Sequence, residues 1–263
     1  MMSLLLSLLP TASPAAADQD IAFADRFMFR LSAYDVQDAD TDIMILSDDG
    51  IGTEVSFVDD LGGDPSVTIP RIDAYYRFDL RHRIDFSAFR VNRDGRTHLD
   101  IDVIFDDEQF FIDDDLKTEI DYGLFKVGYS FSFYHSPMVE LGVSFGLNVT
   151  EYDFSYQLAD GSSADRSDAS APLPMFGMRM GYKINARWSV HYLSEIFFIE
   201  IDNKLEGNFL NAELDFEYKF SNHYVFGFGF SRFSIDLDSD GDSWKGRISD
   251  SHQGVSIFAS YRL

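Results

Sequence analysis

Apolar and polar residues alternate along several long stretches of the chain. From Val139 to Val149 the odd-numbered residues are apolar and the even-numbered residues are small or polar. The same period of two runs from Phe125 to Phe133, and residues 134–137 separate the two stretches. Because successive side chains of a β-strand point to opposite faces, this pattern predicts a hairpin with one apolar and one polar face.

The length of these stretches indicates which face lies inside. Strands of soluble proteins usually have about 5–6 residues, whereas a tilted strand needs about 9–11 residues to cross a bilayer. Both stretches reach the longer figure. A soluble sandwich buries its apolar faces, but a membrane barrel turns them outward to lipid and keeps the polar faces inside. The pattern therefore predicts a transmembrane barrel.

The whole chain fits an all-β fold, a transmembrane antiparallel up-and-down β-barrel of about 12 strands. An even number brings both chain ends to the same side of the membrane. The second and third strands are short, and the barrel has ten strands if residues 22–47 fold differently. The predicted strands lie near 22–35, 40–47, 52–58, 68–78, 82–94, 116–133, 138–158, 172–184, 187–201, 206–220, 223–237 and 252–263.

The connections between these strands are of two kinds. Short turns lie at 79–81, 134–137, 185–186 and 221–222, and longer polar loops lie at 59–67, 95–115, 159–171 and 238–251. Outer-membrane barrels keep short turns on the periplasmic side and long loops outside the cell. Acidic residues concentrate in the long loops. An aromatic girdle is predicted near the short turns from Tyr76, Phe78, Phe133, Tyr182, Trp188, Tyr218, Phe220, Tyr224 and Tyr261.

The first 17 residues have the features of a signal peptide, which leaves 18–263 as the barrel domain. An apolar run from Met1 to Leu9 is followed by Pro10, and Ala15-Ala16-Ala17 fits a small-residue cleavage site. No Lys or Arg precedes the apolar run, which departs from the usual pattern. We expect export and cleavage near Ala17.

Composition narrows the chemistry further. The chain has 26 Phe and 13 Tyr, which suits the lipid belt and girdles of a barrel. It has no cysteine, which excludes disulfides and thiol chemistry. Its formal net charge of −24 argues against nucleic acid as a partner, because phosphate binding needs a basic surface.

Two stretches carry a family resemblance, Gly52 to Gly62 and Arg71 to Phe78, the latter followed by Arg81-His82-Arg83-Ile84-Asp85. They resemble a family of uncharacterised Gram-negative outer-membrane β-barrel proteins, porin-like in type. The last strand, which alternates up to Leu263, resembles the C-terminal assembly signal of such barrels, with Leu in place of the usual aromatic residue. The resemblance implies an outer-membrane location and a barrel fold. It implies no catalytic residues. We expect a monomer in contact with outer-membrane lipid and with the barrel assembly machinery.

The inward face is predicted to carry charges of both signs. One interpretation is a ladder of ion pairs that fills a narrow lumen, since buried charges must be paired. The other is a pore whose charged lining selects ions or solutes. The predicted lumen-facing residues are Arg30, Arg71, Asp73, Arg77, Asp85, Lys126, Glu140, Arg179, His191, Glu195, Glu213, Asp215, Glu217 and Arg262.

Enzymatic chemistry has one candidate pair. His191 and Glu195 are four residues apart on one strand and share its inner face, so they could act as acid and base. Ser189 is near them in the sequence, but Ser194 should face lipid, and no nucleophile has a recognisable setting. We therefore do not predict an enzyme.

A possible cation site lies in the last long loop. The run Asp236-x-Asp238-x-Asp240-Gly241-Asp242 resembles the beginning of a calcium loop, but Arg247 occupies the twelfth position, where a bidentate Glu is expected. Asp238, Asp240 and Asp242 could hold Ca²⁺ or Mg²⁺ loosely at the outer rim. The alternative is a solvated acidic loop.

The sequence therefore predicts a passive small-solute channel or a structural barrel. A barrel enzyme that acts on lipid or peptide, and an adhesion or binding barrel that acts through its acidic loops, remain alternatives.

Overall fold

A computed structural model describes residues 22–47, 50–99, 102–105, 108–111, 114–158, 160–161, 164–201, 205–240 and 245–263. The predicted signal peptide at 1–17 lies outside the described residues. No helix in the described part of the chain is long and apolar enough to span a membrane.

The described residues form thirteen β-strands. Ten of them are long, and three have only three residues each. In chain order they are β1 (Phe27–Ile45), β2 (Glu54–Ser56), β3 (Val67–Arg77), β4 (His82–His98), β5 (Val103–Phe105), β6 (Glu108–Phe110), β7 (Asp115–His135), β8 (Val139–Leu158), β9 (Ala164–Lys183), β10 (Trp188–Ile201), β11 (Leu205–Lys219), β12 (Tyr224–Asp240) and β13 (Lys245–Arg262).

The ten long strands form a closed antiparallel barrel. Each pairs with its long neighbour in the chain, and β13 returns to pair with β1 from Met28 opposite Arg262 to Ile45 opposite Gly246. The short strand β2 extends the sheet beside β1, while β5 and β6 form a separate hairpin. The predicted all-β barrel is confirmed, with ten strands as in the alternative count.

The count of 12 was wrong because the first three predicted strands are not three crossings. Most of 22–35 and of 40–47 belongs to the single strand β1, and 52–58 contains only the short β2. The register of β1 against β13 shifts between Gln37 and Asp40, and Asp38 has a φ of 51°. Such a bulge adds an unpaired residue and interrupts the alternation of faces, so one bent strand has the sequence pattern of two.

The predicted short turns are confirmed. They lie at 78–81, 136–138, 184–187 and 220–223, at the same end of the barrel as both ends of the described chain. We call this the short-turn end and the opposite end the loop end. Most of the predicted girdle aromatics are exposed at the short-turn end, among them Tyr76, Phe78, Phe133, Tyr182, Trp188, Phe220 and Tyr224.

The connections at the loop end are shorter than the predicted long loops. β4 runs to His98, β9 already begins at Ala164, β12 runs to Asp240 and β13 begins at Lys245. These strand ends are rich in Asp and Ser, which favour turns, but their backbones remain paired with neighbouring strands. The strands therefore continue well past the length that a bilayer requires.

An apolar belt surrounds the outside of the barrel next to the short-turn end. On β8 its outward residues run from Val139 to Val149, a span of eleven residues, after which Glu151 is exposed. This matches the roughly 9–11 residues of a tilted membrane-spanning strand. Other strands contribute Leu31, Ile72, Phe86, Phe125, Phe176, Ile196, Leu210, Phe228 and Ile257 to the belt, all exposed.

The polarity of the interior is the reverse of the polarity outside. At the level of the belt, β7 turns Lys126 and Ser130 inward, whereas above the belt it turns Ile120 and Leu116 inward. Two buried apolar clusters occupy the barrel interior toward the loop end. The strands thus have a membrane-type section with a polar interior and, above it, a section with an apolar core.

The belt can be tested with one substitution and a matched control on the same face of β8. Phe145 is 54 % exposed in the belt, and an Arg near the bilayer midplane of a barrel costs about 2–4 kcal/mol. Phe145→Arg should therefore lower the free energy of unfolding in lipid vesicles, measured in urea, by this amount. Glu151→Arg should change it little, because this position lies above the belt. Equal losses at both positions would contradict the assignment.

Candidate functional site

All fourteen predicted lumen-facing residues line one cavity inside the barrel. The cavity has a volume of about 140 Å³ and lies at the level of the apolar belt. The alternation of each strand places every second side chain on the inner face. On β11, for example, these inward residues are Glu213, Asp215 and Glu217. Arg83 also lines the cavity and was not predicted to do so.

Glu217 is the centre of the first group of charges. Its side chain is 1 % exposed, and Arg30 Nη2 and Arg262 Nη2 each donate to Oε1 at 2.6 Å. His191 Nε2 lies 2.9 Å from Glu217 Oε2. Arg30 also donates to Asp215 at 2.6 Å. One carboxylate from β11 thus joins side chains of β1, β10 and β13 across the interior.

A second group of charges lies closer to the loop end. Arg71 Nη1 donates to Glu213 at 2.7 Å, and Lys126 Nζ donates to both oxygens of Glu195 at 2.9 Å. The amide of Asn211 bridges the two carboxylates at 3.1 and 3.2 Å. This group joins β3, β7, β10 and β11.

A third group gathers three arginines at the short-turn end. Arg77 Nη2 donates to the two oxygens of Glu140 at 3.0 and 3.2 Å. Arg179 Nη2 lies 3.6 Å from Glu140 Oε1, and Arg83 Nη2 lies 2.6 Å from Asp85 Oδ1. Here two carboxylates face three guanidinium groups.

Taken together, the charges that line the cavity balance. Seven are acidic and seven are Lys or Arg, and His191 can add one positive charge. A charge out of water is tolerated when it is paired and hydrogen-bonded, because desolvation otherwise costs several kcal/mol per ion, to order of magnitude. The arrangement corresponds to the ladder of ion pairs rather than to a lining of unpaired charges.

An apolar layer covers this charged layer on the side of the loop end. The rings of Tyr122 and Tyr152 stack at 4.5 Å, and those of Phe209 and Phe233 meet edge to face at 5.3 Å. The other buried members are Val36, Ala39, Ile69, Val91, Leu124, Leu173, Met175, Phe197, Ile235, Leu237 and Ile248. They come from all ten long strands, so the layer extends across the interior.

The predicted acid–base pair is not brought together. Glu195 is bound by Lys126, and His191 contacts Glu217 instead. Ser189 Oγ lies 3.3 Å from His191 Nε2, the same nitrogen that faces Glu217. A catalytic Ser–His–acid relay uses one ring nitrogen for the hydroxyl and the other for the acid. These residues do not have that geometry.

Asp238 and Asp240 of the possible cation site lie on the exposed face of β12, each opposite a basic residue of β13. Asp238 Oδ2 accepts two hydrogen bonds from Arg247, at 2.8 and 3.1 Å, and Asp240 lies opposite Lys245. Asp242 is outside the described residues. Among those described, no three His, Cys, Asp or Glu residues are placed to hold a metal ion. Loose binding of Ca²⁺ or Mg²⁺ at the outer rim stays a prediction.

The turn that follows β3 fixes the arginines of the third group. The backbone N–H groups of Arg81 and His82 donate to Asp79 Oδ1 at 2.8 and 2.9 Å, and the bond from Arg81 holds the pKa of this carboxyl below its usual value. The resulting tight turn places Arg77 directly opposite Arg83.

Sequence reasoning missed three residues of the charged layer, Arg83, Ser189 and Asn211. Arg83 stands two residues before Asp85 in the sequence and so shares its face of the strand. The same rule relates Ser189 to His191 and Asn211 to Glu213. The alternation therefore contained the signal for all three residues.

The comparisons with known proteins concern the fold. The outer membrane protease OmpT from Escherichia coli superposes with a TM-score of 0.62 over 92 % of this chain and 98 % of its own, at 9 % identity. The toluene transporter TodX of Pseudomonas putida gives 0.34 at 12 % identity over 90 % of both chains. The attachment invasion locus protein Ail of Yersinia pestis gives 0.36 at 10 % identity over 91 % of this chain and 99 % of its own. A scan against protein-family models gives no match, and a sequence comparison with curated proteins gives none. The chain therefore has the closed antiparallel fold of outer-membrane β-barrels.

Glu217 provides a test of the charged layer. Removal of one partner from a buried ion pair typically costs about 3–5 kcal/mol. Glu217→Gln should lower the free energy of unfolding in lipid vesicles by an amount in this range, since Arg30 and Arg262 lose their shared carboxylate. The control is Asp238→Asn, which breaks an exposed pair with Arg247 and should cost no more than about 1 kcal/mol. A loss at Glu217 as small as that at Asp238 would contradict the ladder.

Proposed function

We propose that this protein is an outer-membrane barrel that is closed to solutes and acts through its acidic outer end, as a structural or binding barrel. The observation that carries the proposal is the apolar layer across the interior, with Tyr122, Phe209 and Phe233 near its centre. It lies directly above a charged layer whose members bind one another.

The membrane location rests on the belt and the fold. An exposed apolar band with a height of one bilayer is unfavourable in water and favourable in lipid. The fold shared with OmpT supports a barrel of this type. The orientation follows from the short turns, which in such barrels lie on the periplasmic side.

A passive channel is the weaker of the two predicted functions. Barrel diameter grows with strand number, and barrels that leave an aqueous channel have about 16–18 strands. Ten strands enclose a narrower space, and the cavity that remains in the charged layer is only about 140 Å³. A solute would have to break several ion pairs and displace the apolar layer.

The section above the belt favours a role at the outer end. β8 continues for nine residues beyond Val149, to Leu158, which corresponds to a height of about 20 Å for a strand tilted near 45°. Its outward surface carries acids such as Glu119, Asp121 and Glu151. The apolar core beneath this acidic surface holds its strands in a fixed arrangement. The charge of this surface suits cationic partners, including the loosely bound divalent ions predicted above.

Conductance separates the proposed closed barrel from a channel. The purified protein in a planar lipid bilayer should show no steady ion conductance, because both layers block the interior. Steady single-channel openings would overturn the proposal.

A labelling experiment checks the same seal independently of conductance, since the chain has no cysteine of its own. Asn148 is 1 % exposed and faces inward where the charged and apolar layers meet. Asn148→Cys should resist an impermeant maleimide in the folded protein, while the outward Glu151→Cys should react. Rapid reaction of both would mean that water and solutes reach the interior.

Orientation can be tested in intact Gram-negative cells. Asp94 is exposed at the loop end of β4, and Asn222 is exposed in the last short turn. Asp94→Cys should be labelled by an impermeant reagent on whole cells, because the loop end is outside. Asn222→Cys should be labelled only after the outer membrane is disrupted. The opposite pattern would reverse the orientation, and labelling of both on whole cells would argue against a membrane-spanning barrel.

A further inference from the structure

We infer that the cluster formed by Arg77, Arg83 and Arg179 is a binding site for a small tetrahedral oxyanion of the phosphate or sulfate class. The site lies inside the barrel near the short-turn end and is separate from the acidic outer surface. The first observation is the charge of the cluster. Three guanidinium groups face only two carboxylates, those of Asp85 and Glu140, which leaves one positive charge uncompensated locally.

Arg179 shows most clearly that the cluster is incomplete. Its side chain is only 11 % exposed, and its nearest counter-charge is Glu140 at 3.6 Å. It donates no hydrogen bond to any other residue in the described part of the chain, and its Nη1 is fully buried. Buried guanidinium groups carry five donors in a fixed fork and are nearly always hydrogen-bonded. Nη1 itself has no accessible surface, so the unused donors that can meet a ligand are those that Arg179 turns toward the cavity.

The other two arginines are under-satisfied as well. The Nε atoms of Arg77 and Arg83 are buried and have no partner among the described residues. The two residues also stand directly opposite each other on β3 and β4. Like charges in directly opposite positions destabilise a sheet. An oxyanion beside them would offset this repulsion.

The wall beside the arginines leaves space for such an ion. The cavity is lined on β7 and β8 by Gly128, Ser130, Ser144 and Gly146, none of which fills it. A Cβ atom added at Gly128 would meet nothing closer than 3.7 Å. The whole cavity, of about 140 Å³, is lined by the three arginines together with these small residues.

The route to the site runs through the short-turn end. A second cavity of about 410 Å³ opens there and shares Phe23, Glu217 and Arg262 with the inner cavity. Phe23 packs against His191 with ring centroids 4.7 Å apart, so it forms the lip between the two cavities. A free inorganic anion can approach from this side, and the apolar layer closes the other.

The chemistry of the donors selects the ligand. Arginine presents paired N–H donors that match two oxygens of one phosphate or sulfate, and these charge-assisted bonds are stronger than neutral ones. Chloride offers no such pair of oxygens. The ion should therefore bind through geometry as well as charge, and simple salt should not replace it.

The test uses the full mature chain folded in detergent, with inorganic phosphate and sulfate as probes at pH 7. Wild-type thermal unfolding should shift to higher temperature in millimolar phosphate or sulfate, beyond the shift in NaCl of matched ionic strength. Calorimetric titration should give saturable binding. Arg179→Gln should weaken the apparent affinity at least about tenfold, the loss expected for one charge-assisted hydrogen bond.

Arg71→Gln is the matched control, because Arg71 is inside the same cavity but already donates to Asp73 and Glu213. Arg71→Gln should lower the melting temperature in all buffers. Phosphate should still raise the melting temperature of this variant by as much as it raises that of the wild type. In phosphate-free buffer Arg179→Gln should melt no lower than the wild type, because Arg77 still neutralises Glu140 and the substitution removes the one uncompensated positive charge. Equal effects of phosphate and NaCl on the wild type would overturn the site, as would loss of the phosphate increment in Arg71→Gln to the same degree as in Arg179→Gln.

Discussion

The hydrogen-bonded ladder between β1 and β13 is the constraint on which the rest of the structure depends. It runs from Met28 opposite Arg262 to Ile45 opposite Gly246 and closes the sheet, so that no strand edge faces lipid. A bilayer offers no water to satisfy exposed backbone groups, and closure is the solution open to strands. Closure also fixes an inside and an outside for every residue of every strand.

Closure at ten strands makes the interior a space that must be filled. At the level of the belt it is filled by charges, and these are paired because a narrow interior gives them little water. Glu217 illustrates the result, since a single carboxylate receives Arg30, Arg262 and His191 from three other strands. Around Arg179 the pairing is incomplete. A buried charge needs a partner, which is why we infer a bound oxyanion there.

Above the belt, the outer faces of the strands change from apolar to polar and their inner faces from polar to apolar. On β7, Phe125 faces out beside the inward Lys126, and only a few residues earlier Asp121 lies on the outer face beside the inward Tyr122. The outer residues of the lower section are apolar and those of the upper section are polar, and in each section the interior takes the complementary type. An apolar core therefore fills the upper section of the barrel interior.

Much of this was determined by the sequence alone. The period of two established the strands, the outward belt from Val139 to Val149 and the inward position of all fourteen charged residues, because the pleat of a strand depends only on neighbours along the chain. The short turns followed from the breaks between the strands.

The tertiary structure decided which charges meet and how far the strands extend. Arg30 binds Glu217, 187 residues away, and His191 binds Glu217 rather than Glu195 on its own strand. Such pairs depend on barrel radius and strand stagger, which local alternation does not contain. The bulge at Asp38 merged two predicted strands into one. The acidic stretches predicted as loops are paired strands around an apolar core, because each hairpin continues its backbone pairing past the belt, as from Asp238 opposite Arg247 to Asp240 opposite Lys245.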